Sequence, residues 1–120
     1  MPQEIHFDIP IDQSDRAENF YRELFGWSFQ KVPVPNMEYW VIRAGEGDAL
    51  GGLIQRAGSS RVILNYYTVD SIDAALEKIT DLGGKVTVGK TTIPHVGYNA
   101  QCFDSEGNAF GLWQNDKEAR

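Results

Sequence analysis

The sequence predicts an α+β protein made of two copies of one βαβββ unit, and three observations predict it. Two stretches carry apolar residues at helical spacing, each is followed by three strand-like runs, and the two sets lie 57 to 59 residues apart in a chain of 120. That length suits one domain, built from a module over about residues 3–57 and another over about residues 61–115.

The first strand is read over Ile5 to Ile11, with Asp12 after it as an acidic helix cap. Ala17, Phe20, Tyr21, Leu24 and Phe25 then recur at i, i+3, i+4, i+7 and i+8, so all five share one helix face, and Gly26 ends the helix. Strand-like runs follow over Trp27 to Val32, Met37 to Ala44 and Leu50 to Gln55. Pro33, Pro35 and Asn36 separate the first two, Gly45 to Asp48 the next two, and Gly58, Ser59 and Ser60 form the joint to the second copy.

In the second copy the first strand is read over Val62 to Val69, capped by Asp70. Ile72, Ala75, Leu76, Ile79 and Leu82 form the one-faced helix, which Gly83 stops. Lys85 to Thr92, Gly97 to Phe103 and Ala109 to Gln114 supply the remaining strands, with Pro94 and His95 in one connection and Asp104 to Asn108 in the other. Gly52-Leu53-Ile54-Gln55 and Gly111-Leu112-Trp113-Gln114 agree at three of four positions, which makes the repeat explicit, and Asn115 to Arg120 reads as a polar tail.

Composition removes several classes of function. At 42% apolar and 23% charged the chain can bury a core without metal or disulfide staples, and disorder, collagen and coiled coil are excluded. No apolar run approaches the roughly 18 residues needed to span a bilayer, and Met1 to Pro10 lacks signal-peptide character, so a cytoplasmic chain is expected. A net charge of −6 with no Lys/Arg cluster repels phosphate backbones and anionic membranes, so neither nucleic acid nor membrane is expected as a partner. Cys102 is the sole cysteine and His6 and His95 the sole histidines, which excludes an internal disulfide and every multi-cysteine metal motif.

Four segments carry a family resemblance by their order and spacing: His6-Phe7-Asp8-Ile9-Pro10, the helix of Phe20-Tyr21 running into Leu24-Phe25-Gly26-Trp27, Val69-Asp70 with Leu82-Gly83-Gly84, and Asp104-Ser105-Glu106-Gly107-Asn108. From His6 to Gln114 the chain resembles the vicinal oxygen chelate superfamily of glyoxalase I, bleomycin-resistance proteins and extradiol dioxygenases. The resemblance implies a curved mixed sheet around a cavity, an outer helix on each module, and a homodimer. In the family's enzymes it also implies a divalent metal held from the first and last strand of each module. The matching positions look like His6, Leu64, Gly52 and Gly111, where family metalloenzymes usually carry Glu at the place of Gly111 and His, Gln or Glu at the others.

Only His6 is a ligand type, and neither leucine nor glycine offers a donor to an ion that needs at least three. No metal and no cofactor are therefore expected. Gly52 and Gly111 read instead as empty volume suited to an organic group.

Alternation on the first strand puts Ile5, Phe7, Ile9 and Ile11 on the helix side and His6 and Asp8 on the other. His6 with Asp8 is either a base oriented by a carboxylate or a hydrogen-bonded pair lining a wet pocket. Among the strand aromatics Trp40, Tyr66, Tyr98 and Trp113, Tyr66 lies two residues from Leu64 and Trp113 two from Gly111. Those two would therefore share the cavity face and either stack on a planar ligand or fill core. His95 is a solvated loop residue or a rim residue. Cys102 has no cationic neighbour in sequence and reads as packing, and Gly51-Gly52 precedes no helix and is no phosphate loop.

The expected function is binding of a small, planar, mostly apolar molecule with a hydrogen-bonding or cationic group in a metal-free cavity lined by His6, Asp8, Gly52, Leu64, Tyr66, Gly111 and Trp113. The alternative is a lyase, isomerase or dioxygenase-type enzyme using His6 with Asp8 or a degenerate metal site. On this reading Gly111→Leu fills the cavity at little cost in stability.

Overall fold

Alternation along β1 (Ile5–Ile11) aims Ile9 and Ile11 at one side, and the first unit is assembled around them. The structure is a computed structural model describing residues 5–34, 37–47, 49–56 and 62–120. It divides into two compact units, one built on His6–Ile63 and one on Leu64–Arg120.

In the first unit, β1 leads into α1 (Ser14–Phe25), β2 (Trp27–Val34), β3 (Met37–Ala44) and β4 (Ala49–Gln55), in spatial order β2-β3-β4-β1. The two hairpin pairings are antiparallel, and β4 returns parallel to β1 with Asp8 opposite Gly52. Ile9, Ile11, Trp40, Ile42 and Leu53 form the core beneath α1, with Ala17 and Tyr21 packed on it.

The helix face is narrower than its sequence pattern. Phe20, Leu24 and Phe25 remain 59%, 59% and 56% exposed, because one helix lying across a four-stranded sheet meets it along one line of contact. Phe25 turns instead to Trp27, with ring centroids 4.8 Å apart, and Tyr21 stacks on the same indole at 5.3 Å. The cap residue is Gln13 rather than Asp12, whose carboxylate pairs with the Arg56 guanidinium. Gly26 ends the helix as expected, at φ 75° with its N–H donating to the Arg22 carbonyl at 2.8 Å. Strand β2 continues through Pro33 to Val34, which an edge strand tolerates. Pro35, Asn36, Asp48 and the joint Gly58 to Ser60 lie outside the described residues.

The second unit repeats the plan with β5 (Leu64–Thr68), α2 (Ile72–Ile79), β6 (Lys85–Ile93), β7 (Gly97–Phe103) and β8 (Ala109–Asn115), in spatial order β5-β8-β7-β6. Ile72, Ile79, Ala100, Cys102 and Leu112 are its core. Ser71, not Asp70, caps α2, accepting from the Ala74 N–H at 3.1 Å. The helix also stops sooner than its pattern, since Gly83 at φ 93° and the Gly84 N–H on the Ile79 carbonyl close it, leaving Leu82 74% exposed in the turn.

Val62 and Ile63 precede β5 and are exposed. Residues 115–120 are not a free tail: Ala119 is fully buried, its carbonyl accepts from the His95 N–H at 2.9 Å, and the Asp116 N–H donates to the Val96 carbonyl at 3.0 Å.

Two of the repeated segments are structural. Gln114 Oε1 accepts from the Ile72 N–H at 2.8 Å and Gln55 Nε2 donates to the Asp12 carbonyl at 3.4 Å, so each repeated glutamine ties a last strand to its helix's entry. Asp104 closes its own turn, accepting from the N–H groups of Asn108 and Glu106, and these bonds hold its carboxyl below the usual carboxylate range. Among the described residues no helix is long and apolar enough to cross a membrane.

Candidate functional site

Trp40 and Ile42 enter the core beneath α1, so the alternate residue Tyr39 points to the helix-free face of the first module, the face of Asp8. Register then brings three residues together. Asp8 stands opposite Gly52, a Cβ on Gly52 would run into the Tyr39 ring, and the Tyr39 hydroxyl donates to Asp8 Oδ1 at 2.8 Å. Burial pushes the Asp8 carboxyl up from 3.8 to about 6, against the smaller opposite pull of the Tyr39 hydrogen bond. Asp8 Oδ2 has no hydrogen bond from the described residues. His6 lies two residues earlier on β1, half-buried and on the same side by alternation.

The second module reaches a similar arrangement by another route. Tyr66 stands opposite Gly111, and its own ring occupies the space a Cβ on Gly111 would need. Its hydroxyl accepts from Gln101 Nε2 at 3.1 Å, and Gln101 also stands opposite Gly111. Trp113 shares this face by alternation. Its indole lies against Gly97, and its Nε1–H donates to Asn115 Oδ1 at 2.8 Å. Leu64 is half-buried at the start of β5.

The volume read at Gly52 and Gly111 is therefore not empty. Each glycine is the floor under a tyrosine ring, for the physical reason that only a residue without Cβ lets the ring settle on the strand. Tyr39 escaped the sequence reading, although its odd position beside core-bound Trp40 was the available signal. Trp40 is core in the first module and Tyr98 packs on the core of the second. Cys102 is 1% exposed, its thiol pushed up by burial, and it packs beneath α2. His95 sits at φ 65° in a turn.

These residues do not fit a divalent metal. Of the four matching positions only His6 carries a donor, tyrosine rings cover Gly52 and Gly111, and the described residues contain no grouping of three or more His, Cys, Asp or Glu side chains placed to hold an ion.

Comparison with known proteins agrees with this architecture. Proteins of Mycobacterium bovis and Mycobacterium tuberculosis that carry the name glyoxylase CFP32 are 28% identical over 116 residues, covering 92% of this chain and 44% of theirs. The chain thus spans less than half the length of these curated relatives. A glyoxylase-like domain-containing protein of Didymella fabae is 26% identical over 113 residues, 88% of either chain. Among solved structures, methylmalonyl-CoA epimerase from Mycobacterium tuberculosis superposes with a TM-score of 0.73 at 14% identity, over 95% of this chain and 87% of that one. The Mn(II)-bound glyoxalase from Novosphingobium aromaticivorans gives 0.66 at 19% identity, over 97% of this chain and 40% of that one. At such identities the likeness shows the fold. Residues 5–112 match the Glyoxalase/Bleomycin resistance protein/Dioxygenase superfamily, and this chain of two βαβββ modules belongs to it.

Proposed function

We propose that the chain binds a small organic molecule bearing an N–H or ammonium group on the helix-free face of its first module, without a metal, and that Asp8 is the anchor. The observation that carries this reading is the Asp8 carboxyl, withdrawn from water and fixed by Tyr39 at 2.8 Å. Tyr39 spends its proton on Oδ1, so Asp8 meets a ligand as an acceptor through Oδ2. Above about pH 6 it is also anionic, which favours a cation and opposes a carboxylate.

His6 and Gly52 belong to the same face of the first module. Leu64, Tyr66, Gly111 and Trp113 give the second an apolar, aromatic face of its own, suited to a planar ligand body. A cytoplasmic homodimer is part of this reading, and the apolar groups left exposed on α1 outside any groove (Leu24 and Phe25) support the dimer.

Calorimetric titration at pH 7.5 with 4-aminoquinoline and with quinoline-4-carboxylate tests the binding. The amine is expected to bind and to be weakened by about tenfold or more in Asp8→Asn, whereas any heat from the carboxylate should be the same in Asp8→Asn as in the unaltered chain. An Asp8→Asn variant that binds the amine unchanged, or that loses the carboxylate as much as the amine, would overturn the reading.

One observation favours a second reading, an isomerase-type proton transfer: a carboxyl titrating near 6 is matched to taking up and returning a proton close to neutrality. Asp8 Oδ2 would take a proton from a carbon beside a carbonyl and return it, with no net change in atoms or electrons. Deuterium incorporation from solvent into methylmalonyl-CoA, lost in Asp8→Asn, is its expected signature, and no incorporation by the unaltered protein contradicts it.

A further inference from the structure

The first module carries a concavity on its helix side, between the start of α1 and the end of β4. This groove has a volume of about 350 Å³, within the roughly 300–1,000 Å³ usual for small-molecule sites. Arg16, Ala17, Phe20 and Tyr21 of α1 line one wall, and Arg56 and Asp12 line the other.

Its polar groups are unequally matched. The Asp12 carboxylate is already paired with one terminal nitrogen of Arg56, and the other terminal nitrogen donates to the Pro10 carbonyl at 3.3 Å. That leaves Arg56, only 11% exposed, with a buried Nε–H that has no hydrogen-bond partner. Arg16 makes no ion pair with any described residue. One negative charge is thus cancelled and one guanidinium left over, so the groove is locally cationic although the chain as a whole carries −6. Screening at physiological salt limits the reach of that global field to about 8 Å, so the charges lining the groove, among which Arg16 is the one not paired, set its local sign.

The apolar side is equally specific. Phe20 and Tyr21 meet edge to face at 5.2 Å and continue the wall away from Arg16, with Phe20 59% exposed. A charged end beside an aromatic wall fits an amphipathic anion.

We propose that this groove binds the carboxylate end of a small organic acid with an aliphatic or aromatic body, Arg16 taking the carboxylate and Phe20 the apolar chain. A planar guanidinium fork matches a carboxylate in two parallel hydrogen bonds, which a neutral or cationic head group cannot make.

The test is a ¹⁵N-HSQC titration of the full chain with sub-micellar octanoate, and with octylamine as the opposite-charge control. Octanoate is expected to shift the amides of Arg16, Ala17, Phe20 and Arg56, and octylamine to leave them in place. Arg16→Met, which keeps the length and removes the charge, should weaken octanoate by about tenfold or more, whereas Asp8→Asn should leave its affinity unchanged. Failure here is therefore distinguishable from failure of the proposed amine site. Octanoate that binds Arg16→Met as tightly as the unaltered chain, octylamine that shifts the same amides, or octanoate that shifts none of them would each overturn the proposal.

Discussion

The hydroxyl of Tyr39 and the carboxyl of Asp8, on strands separated in space by β4, meet at 2.8 Å above Gly52. Bridging one strand requires a flat side chain to lie across it, and glycine at 52 is what permits that. The bond stabilises the charged form of a carboxyl whose surroundings oppose charge, so the two effects act on Asp8 in opposite directions, and burial is the larger.

Stability should therefore depend on pH through Asp8. Its folded value of about 6 lies above the ordinary 3.8, so between these values the folded chain holds the proton more tightly than the unfolded one. The Asp8 contribution is full below about pH 4, falls as pH rises toward 6 and is level above, a loss of at most about 3 kcal/mol and less to the extent that water reaches the group. Denaturant unfolding of Asp8→Asn across pH 4 to 7.5 should lack this fall and leave the variant more stable than the unaltered chain at pH 7.5. Parallel profiles would contradict it.

Gly52→Ala and Gly111→Ala should each destabilise by about 1–3 kcal/mol, because the new methyl meets the Tyr39 or Tyr66 ring. Gly111→Leu is then a destabilising change, contrary to the sequence-based expectation. In the background of Tyr39→Ala the cost of Gly52→Ala should shrink, with a coupling of about 0.5–3 kcal/mol in a double-mutant cycle. Additive costs would mean that ring and glycine do not meet.

Elemental analysis of purified protein should find no stoichiometric zinc, nickel, iron or manganese, since one donor at four positions cannot hold such an ion. About one metal per chain, lost in His6→Ala, would contradict this.

Ala119→Asp should cost about 1–3 kcal/mol, because it places a carboxylate at a fully buried position in a segment pinned to the His95 turn. Unchanged thermal unfolding would mean that the segment is loosely held.

The architecture was legible because helical spacing, capping glycines and a repeated Gly-Leu-x-Gln record local geometry. What lay beyond it was decided by contacts between strands. Asp12, read as the cap of α1, gives its carboxylate instead to Arg56, more than forty residues away, and Gln13 at the cap position makes no side-chain hydrogen bond to the helix. The function of Gly52 depended on Tyr39 reaching across from a neighbouring strand, which a one-strand alternation argument does not contain. Asp8 was visible by parity alone. Its partner was not, because parity gives a face and not a register.

The central claim, that Asp8 held by Tyr39 anchors an N–H or ammonium ligand, is tested most directly by carbon-detected NMR titration of the Asp8 carboxyl. The midpoint should lie near 6 in the unaltered chain, above that in Tyr39→Phe, where the bond that lowers it is gone, and well below 6 with 4-aminoquinoline bound. A midpoint near 3.8 that neither the substitution nor the amine moves would contradict the account.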